Sequence, residues 1–308
     1  MNVEGYIAGI LPRNDGLIKI WKMYEAGRVT EDVFRDVLDK SIEDIISIQV
    51  ENGFTYIHAP QIDWHDYFRI FTELDGIKAG PLTRYFENNT LYRKPIFEEF
   101  PKYREGLIAD KTHIRYIPRD VKPILSLPGP YTFLRLSLFK NGVDPVKALS
   151  TLMYNALKEA LSIGYSKVIL HEPSIAYEDD PDKDLLVSLY SELKDFQSNI
   201  RVHTYFGDVG KKSDILNELD VEGYSVDLQY TSVESVGCSD KLVIFGVIDA
   251  QNTLIEDIEY IYNQVSGYRE RCKGDIAISN NTDLDFLPFT VAIDKINLLG
   301  NLLKRLRG

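Results

Sequence analysis

Cysteine is nearly absent from this chain: Cys238 and Cys272 are the only two in 308 residues. They lie far apart and make no CxxC or other metal-ligand spacing. A disulfide between them is one option, but two buried thiols in a cytoplasmic protein are the expectation. No apolar run approaches the roughly 20 residues of a membrane span. The opening Met1-Asn-Val-Glu-Gly5 has none of the order of a signal peptide, which agrees with a cytoplasmic location. There is no GxGxxG, no GxxxxGK[ST] and no GxSxG, so neither a Rossmann nucleotide site, a P-loop nor a nucleophile elbow is indicated. Positive charge is also short, with 35 Lys and Arg against 47 Asp and Glu, a formal net charge of -12. Nucleic-acid and anionic-membrane partners need clustered cations and are disfavoured. Methionine is nearly as scarce, with three, and low cysteine and methionine beside abundant isoleucine, tyrosine and charge suit a thermophile.

What is present is an ordinary globular composition, 44% hydrophobic and 27% charged. The chain is long enough for one large α/β barrel or two smaller domains. Short apolar runs at 6–11, 54–58, 122–127, 166–170, 200–204, 222–227, 242–248 and 275–279 read as strands. They lack strict alternation, as strands buried on both faces of a parallel sheet do. Helical patterns follow at 17–26, from Thr30 as N-cap to Gly53, and at 64–74, 145–163, 183–196, 211–219, 255–271 and 289–306. Residues 76–120 break this rhythm and are too long for a plain connection. The reading is a single α/β domain over 1–308, a (β/α)8 TIM barrel, with 76–120 an inserted excursion over the rim after the second βα unit. A doubly wound open sheet is the fallback.

In such a barrel chemistry gathers where strands end. The stretch Arg201-Val-His-Thr-Tyr-Phe-Gly-Asp-Val-Gly210 is the clearest strand end, with His203 and Tyr205 on one side of it. The other strand ends carry Arg13, His58, Asp63, Pro130, His171, Glu172, Asp208, Asp227, Asp249 and Asn280. Singly, aspartate and asparagine at such places are turn and cap residues. A catalytic zinc needs three protein ligands from histidine, cysteine and carboxylate. His171 and His203 with Asp227 or Glu172 are candidates, yet tyrosine is a poor ligand at 205 and neither cysteine is at a strand end. Glu172 with Asp227 or Asp249 could form the carboxylate pair of a barrel hydrolase. Only Trp21 and Trp64 would then be available to stack on sugar.

Several segments, in order, resemble the cobalamin-independent methionine synthase family, whose long form is two barrels. Leu11-Pro-Arg13 with Lys19 is similar to its opening segment. So are Tyr85-Phe-Glu-Asn-Asn-Thr-Leu-Tyr92, the run Lys122 to Leu134, His171-Glu-Pro173, Thr204-Tyr-Phe-Gly-Asp208, Ser225-Val-Asp-Leu228 and Phe245-Gly-Val-Ile-Asp-Ala-Gln-Asn252. The likeness is to the N-terminal, metal-free barrel. The resemblance implies that Tyr205 stands where the metal-bearing barrel has a zinc-binding cysteine. A second cysteine would fall within Asn280-Asn-Thr282, and Asp227 alone could match the acid ligand.

The resemblance therefore implies the N-terminal half of a split 5-methyltetrahydrofolate–homocysteine methyltransferase in methionine biosynthesis. This chain would bind the methyl donor and no metal, with zinc held by a partner barrel, and would not be active alone. Arg13, Lys19, Asn88 and Asn89 would contact the donor, with Glu172, Tyr205, Asp208, Asp227 and Asp249 completing the ligand contacts. The alternative is a catalytically inactive binding or regulatory barrel for a pterin or other methyl carrier. A carboxylate-based hydrolase is third.

Overall fold

A computed structural model describes residues 2–308. Met1, with which the expected single-domain span begins, lies outside the described residues. Eight strands make one parallel sheet: β1 Val3–Gly5, β2 Tyr56–His58, β3 Lys122–Pro128, β4 Lys167–His171, β5 Ile200–His203, β6 Gly223–Asp227, β7 Leu242–Ile248 and β8 Ile276–Asn280. From β2 to β8 each strand pairs with the next in sequence, and β8 pairs with β1. The two remaining edges meet where the Thr55 amide donates to the Gly5 carbonyl at 2.8 Å and the Gly5 amide to Thr55 Oγ1 at 3.0 Å. The sheet thus closes as the (β/α)8 barrel read from the sequence.

Alternation along each strand divides the apolar residues between two compartments. Tyr6, Tyr56, Ile124, Ile169, Ile244 and Ala277 pack together inside the barrel. Ile57, Leu125, Val168, Val202, Phe245 and Ile278 face the surrounding helices. At the bottom of the interior Arg201 is buried, with Nε donating to Glu222 at 2.8 Å and Nη2 to Glu4. Its guanidinium stacks over Tyr56 and Tyr6 at 4.8 and 5.1 Å.

Local chemistry sets the helix starts. Asn14, Asp144 and Asp257 accept amide hydrogen bonds as N-caps. Thr30 precedes the helix Glu31–Glu51 without making a side-chain cap bond. Three expectations need correction. The first strand is not 6–11 but ends at Gly5, because the chain beyond is held by side chains. Ala8 N–H donates to Asn280 Oδ1, Gly9 N–H to Ser126 Oγ and Ile10 N–H to Asp283 Oδ1, each at 2.9 Å. The helix expected at 64–74 shrinks to one 3₁₀ segment, Arg69–Glu73. Asp66 Oδ1 takes the Phe68 and Arg69 amides before a helix can begin earlier. Third, Cys238 and Cys272 are not buried thiols but a disulfide. It ties the loop before β7 to the end of the helix Ile258–Cys272 and removes one support for the cytoplasmic expectation.

Residues 75–102 form an antiparallel hairpin, Asp75–Arg84 with Leu91–Lys102, extended by Leu138–Phe139. Its tip reaches the rim where β5 ends. Among the described residues no helix is long and apolar enough to cross a membrane.

Candidate functional site

Three strand ends deliver histidines to the barrel mouth: His58, His171 and His203, each at most 1% exposed. Burial disfavours imidazolium, pushing His58 down to about 3 and His203 to about 4. His171 is lowered too, by burial and then by the other two rings. All three are neutral and held through Nε2. His203 donates to the Asn281 carbonyl at 2.9 Å, His171 lies 3.2 Å from the Tyr67 hydroxyl, and His58 lies 3.1 Å from Ser126 Oγ.

Tyr67 donates in turn to Asp283, which also accepts the Ile10 amide. Gly9, at φ +89°, makes room for this carboxylate: a Cβ there would lie 2.1 Å from Asp283 Oδ1. Burial raises Asp283 to about 6. Asp285, two residues on, is exposed along the wall of a concavity. The partial desolvation there, and then the Asp283 charge, raise its carboxyl as well.

The centre of the mouth is covered. The Tyr205 hydroxyl lies 2.9 Å from that of Tyr85 at the hairpin tip, and both side chains are buried. Phe86 packs on Tyr177 and Phe206, with ring centroids 5.0 and 5.7 Å apart. Phe86 and Phe206 both have positive φ, 51° and 68°, a conformation bulky residues adopt only where surroundings enforce it. Beside this covered centre lies an open cavity of about 780 Å³. Its walls are the loop after β1, the Ile62–His65 segment and the residues from Asp285 to Thr290. Arg13 crosses it, 4.0 Å over the Trp21 ring, with Nε donating to the Ile62 carbonyl at 2.6 Å. Burial lowers the Arg13 pKa while Asp63 and Asp285 oppose the shift, and it stays a cation.

The residues singled out from the sequence are spread over several places. Arg13 is in the cavity. Lys19 is exposed on the helix Asp15–Glu25, one residue past the cavity-lining Ile18. Asn88 and Asn89 sit at the hairpin turn, where Asn88 accepts the Thr90 amide at 2.8 Å. Tyr205 lies under the hairpin. Asp227, raised to about 6 by burial, accepts from Gln229 N–H at 3.0 Å and Asn281 Nδ2 at 3.2 Å. Asn281 thereby links it to His203. Asp208 and Asp249 accept the Gly210 and Gln251 amides of their own turns at 2.8 and 2.9 Å.

Glu172 is a buried helix cap. Its oxygens accept the Tyr131 amide at 2.9 Å, the Thr132 amide at 2.6 Å and the Tyr190 hydroxyl at 3.0 Å. Burial raises its carboxyl to about 7. Neither Glu172 nor Asp249 lines the open cavity. Tyr67, Asp283 and Asp285 escaped the sequence reading. Asp283-Leu-Asp285 follows directly after the last strand and was open to notice; Tyr67, in a segment patterned as helix, carried no signal.

These strand ends do not fit a zinc ion. His203 Nε2 is committed to a backbone carbonyl and Tyr205 to Tyr85, while both cysteine sulfurs are joined to each other away from the mouth. Among the described residues no three His, Cys, Asp or Glu side chains group closely enough to hold a metal.

Comparison with known proteins adds a family. Residues 36–273 match the model for the N-terminal domain of cobalamin-independent synthase. The chain is 30% identical over 241 residues to the 5-methyltetrahydropteroyltriglutamate–homocysteine methyltransferase of Trichodesmium erythraeum, covering 73% of this chain and 32% of that protein. It is 22% identical over 299 residues to the methionine synthase of Sulfolobus acidocaldarius, covering 94% and 88%. Among solved structures, a B12-independent methionine synthase from a Shewanella species, in complex with selenomethionine, superposes with a TM-score of 0.78. At 14% identity, with 100% and 98% of the two chains covered, that likeness shows the fold. The chain spans 32% and 30% of the length of the first two methyltransferases it matches.

Proposed function

This chain belongs to the cobalamin-independent methionine synthase N-terminal domain family, and from that premise we propose that it is the donor-binding half of a split methionine synthase. In this reading it holds 5-methyltetrahydrofolate, polyglutamate tail included, and works beside a zinc-bearing partner barrel that holds homocysteine. The observation that carries the proposal is the open cavity beside a covered barrel mouth, with Arg13 as the cation inside it.

A glutamate tail is a row of carboxylates, and a half-buried guanidinium pre-positioned on Trp21 and two carbonyls would pair with one at little entropic cost. Lys19 would meet the tail farther out, on the helix that starts at the cavity's edge. Asn88 and Asn89 would border the donor from the hairpin, and Asp208 and Asp249 from their rim turns. Tyr205, Asp227 and Glu172 lie beneath the surface and would shape the site from below. Sulfur becomes nucleophilic as thiolate, which a metal favours. No cluster among the described residues supplies one, so this reading assigns methyl transfer to the pair of barrels. A cytoplasmic location belongs to the same proposal.

The test is binding of 5-methyltetrahydropteroyltriglutamate by calorimetry, followed by a methyl-transfer assay with a zinc-bearing barrel of the same family added. Arg13→Ala should weaken binding by roughly 10- to 100-fold, the loss of one charge-assisted contact. Binding without stimulation of the zinc barrel would favour a regulatory pterin-binding role. Neither binding nor stimulation would end the proposal.

A further inference from the structure

One crossover of this barrel is built without a helix. In the fold each strand is followed by a helix that packs back on the sheet. Every other crossover contains at least one α-helix, but residues 228–241, between β6 and β7, hold only the 3₁₀ turn Val233–Ser235. Of residues 232–240, Val233 and Val236 alone are buried, so little apolar surface fixes this segment to the barrel.

Its attachments come instead from the C-terminal end of one helix, Ile258–Cys272. The Tyr268 hydroxyl donates to the Gly237 carbonyl at 3.2 Å. Arg271 Nη2 donates to the Val233 and Val236 carbonyls at 3.1 and 2.7 Å. Cys272 completes the row through its bond to Cys238. Water can replace these hydrogen bonds at small net cost, but not the covalent link.

A rim turn leans on the same segment. Val209 N–H donates to Thr231 Oγ1 at 3.0 Å, and Thr231 is buried. A Cβ on Gly210 would lie 2.6 Å from Ser235 Oγ, so the turn Asp208–Gly210 after β5 rests directly on the crossover. Farther along, Cys238 is exposed and borders an open concavity of about 500 Å³ with Val221, Glu222 and Lys241. That concavity lies at the end of the barrel where β6 and β7 begin, away from the mouth. A dithiol can therefore reach the disulfide from solvent while the chain stays folded.

We propose that Cys238–Cys272 is a thiol–disulfide exchange site whose reduction frees residues 232–241 and loosens the turn at Val209–Gly210, while the eight strands stay closed. The reductant is a dithiol. Its first thiolate attacks Cys238 Sγ and expels the Cys272 thiolate, and its second sulfur then displaces Cys238. Two electrons and two protons pass to the cysteines, and the dithiol leaves as its cyclic disulfide. The release is local because the register of β6 with β7, from Gly223 opposite Leu242 to Asp227 opposite Gly246, owes nothing to the segment that joins them. The inference stands whether or not the cavity binds a donor.

Hydrogen exchange read by mass spectrometry tests it on the full chain, oxidised and after dithiothreitol under native conditions. Reduction should let N-ethylmaleimide label both cysteines with the far-ultraviolet circular dichroism unchanged. Amides of 232–241 and 209–212 should then exchange about a hundredfold faster or more, as the open segment regains the entropy that loop closure withheld. Amides of β3 and β4 should keep their oxidised rates. Cys238→Ser/Cys272→Ser should show the reduced pattern without reagent and no response to it. A disulfide that resists dithiothreitol until urea unfolds the protein overturns the proposal, as do two thiols that stay free in oxidised glutathione. Unchanged exchange after reduction overturns it too. So does a uniform rise over all eight strands, which would make the bond a staple of the whole domain.

Discussion

Gly9→Ala should be among the most damaging single-methyl additions in this protein, and the structure allows its cost to be worked out. Gly9 sits at φ +89°, where an L side chain costs roughly 1–2 kcal/mol. The new Cβ would lie 2.1 Å from Asp283 Oδ1 and 3.0 Å from the Tyr67 hydroxyl, so the carboxylate must move. Moving it breaks two hydrogen bonds to a charged acceptor, from Ile10 N–H and Tyr67, at roughly 1.5–3 kcal/mol each. The sum is about 4–8 kcal/mol, against roughly 5–15 kcal/mol for a whole domain. Urea unfolding followed by circular dichroism measures it. Gly27→Ala is the control: its φ is +66° with nothing within 4 Å of a new Cβ, so it should show the dihedral cost alone. In an Asp283→Ala background the Gly9→Ala penalty should fall to that of the control. If Gly9→Ala costs no more than Gly27→Ala in the native background, the Asp283 clamp does not hold the loop after β1.

Reduction of Cys238–Cys272, which closes a 34-residue separation, should lower unfolding free energy by about 3–4 kcal/mol, read from urea midpoints with and without dithiothreitol. Arg201→Met should cost roughly 2–4 kcal/mol by the same melts, because it strands Glu4 and Glu222. That is below the cost of a fully buried charge, since both acids keep some solvent access and Glu222 keeps Lys167. His203 titrates near 4 when folded, below its ordinary 6.5, so its contribution to stability is present above pH 6.5 and lost as pH falls towards 4. His203→Gln keeps a donor for the Asn281 carbonyl and should shrink the acid loss across that window by about 3 kcal/mol, measured by melts at stepped pH.

Much of the barrel was legible because its strands are local apolar runs. Leu242–Ile248 and Lys122–Pro128 need no partner to be read as buried strands, and their spacing with helices between them points to parallel pairing. Family motifs were legible for the same reason: Thr204 to Asp208 and Phe245 to Asn252 are contiguous. The candidate site was legible only in part. Arg13 was found through its motif, and its place in an open cavity could not be, since the walls come from segments some 270 residues apart.

The sequence by itself determined the alternation of strands and helices around the barrel, the count of eight strands, and the tyrosine at the end of β5. Those properties follow from periodicity and from residue identity, which are written along the chain. Tertiary structure alone decided that β1 stops at Gly5, that Asp283 and Tyr67 join behind His171, that the two cysteines meet, and that the hairpin covers the mouth. Each is a choice of partner for a polar group, and a hydrogen-bonding side chain has many suitors in a sequence. Which one it finds is set by the packing of the whole barrel, because only there is water excluded and an unpaired group made costly.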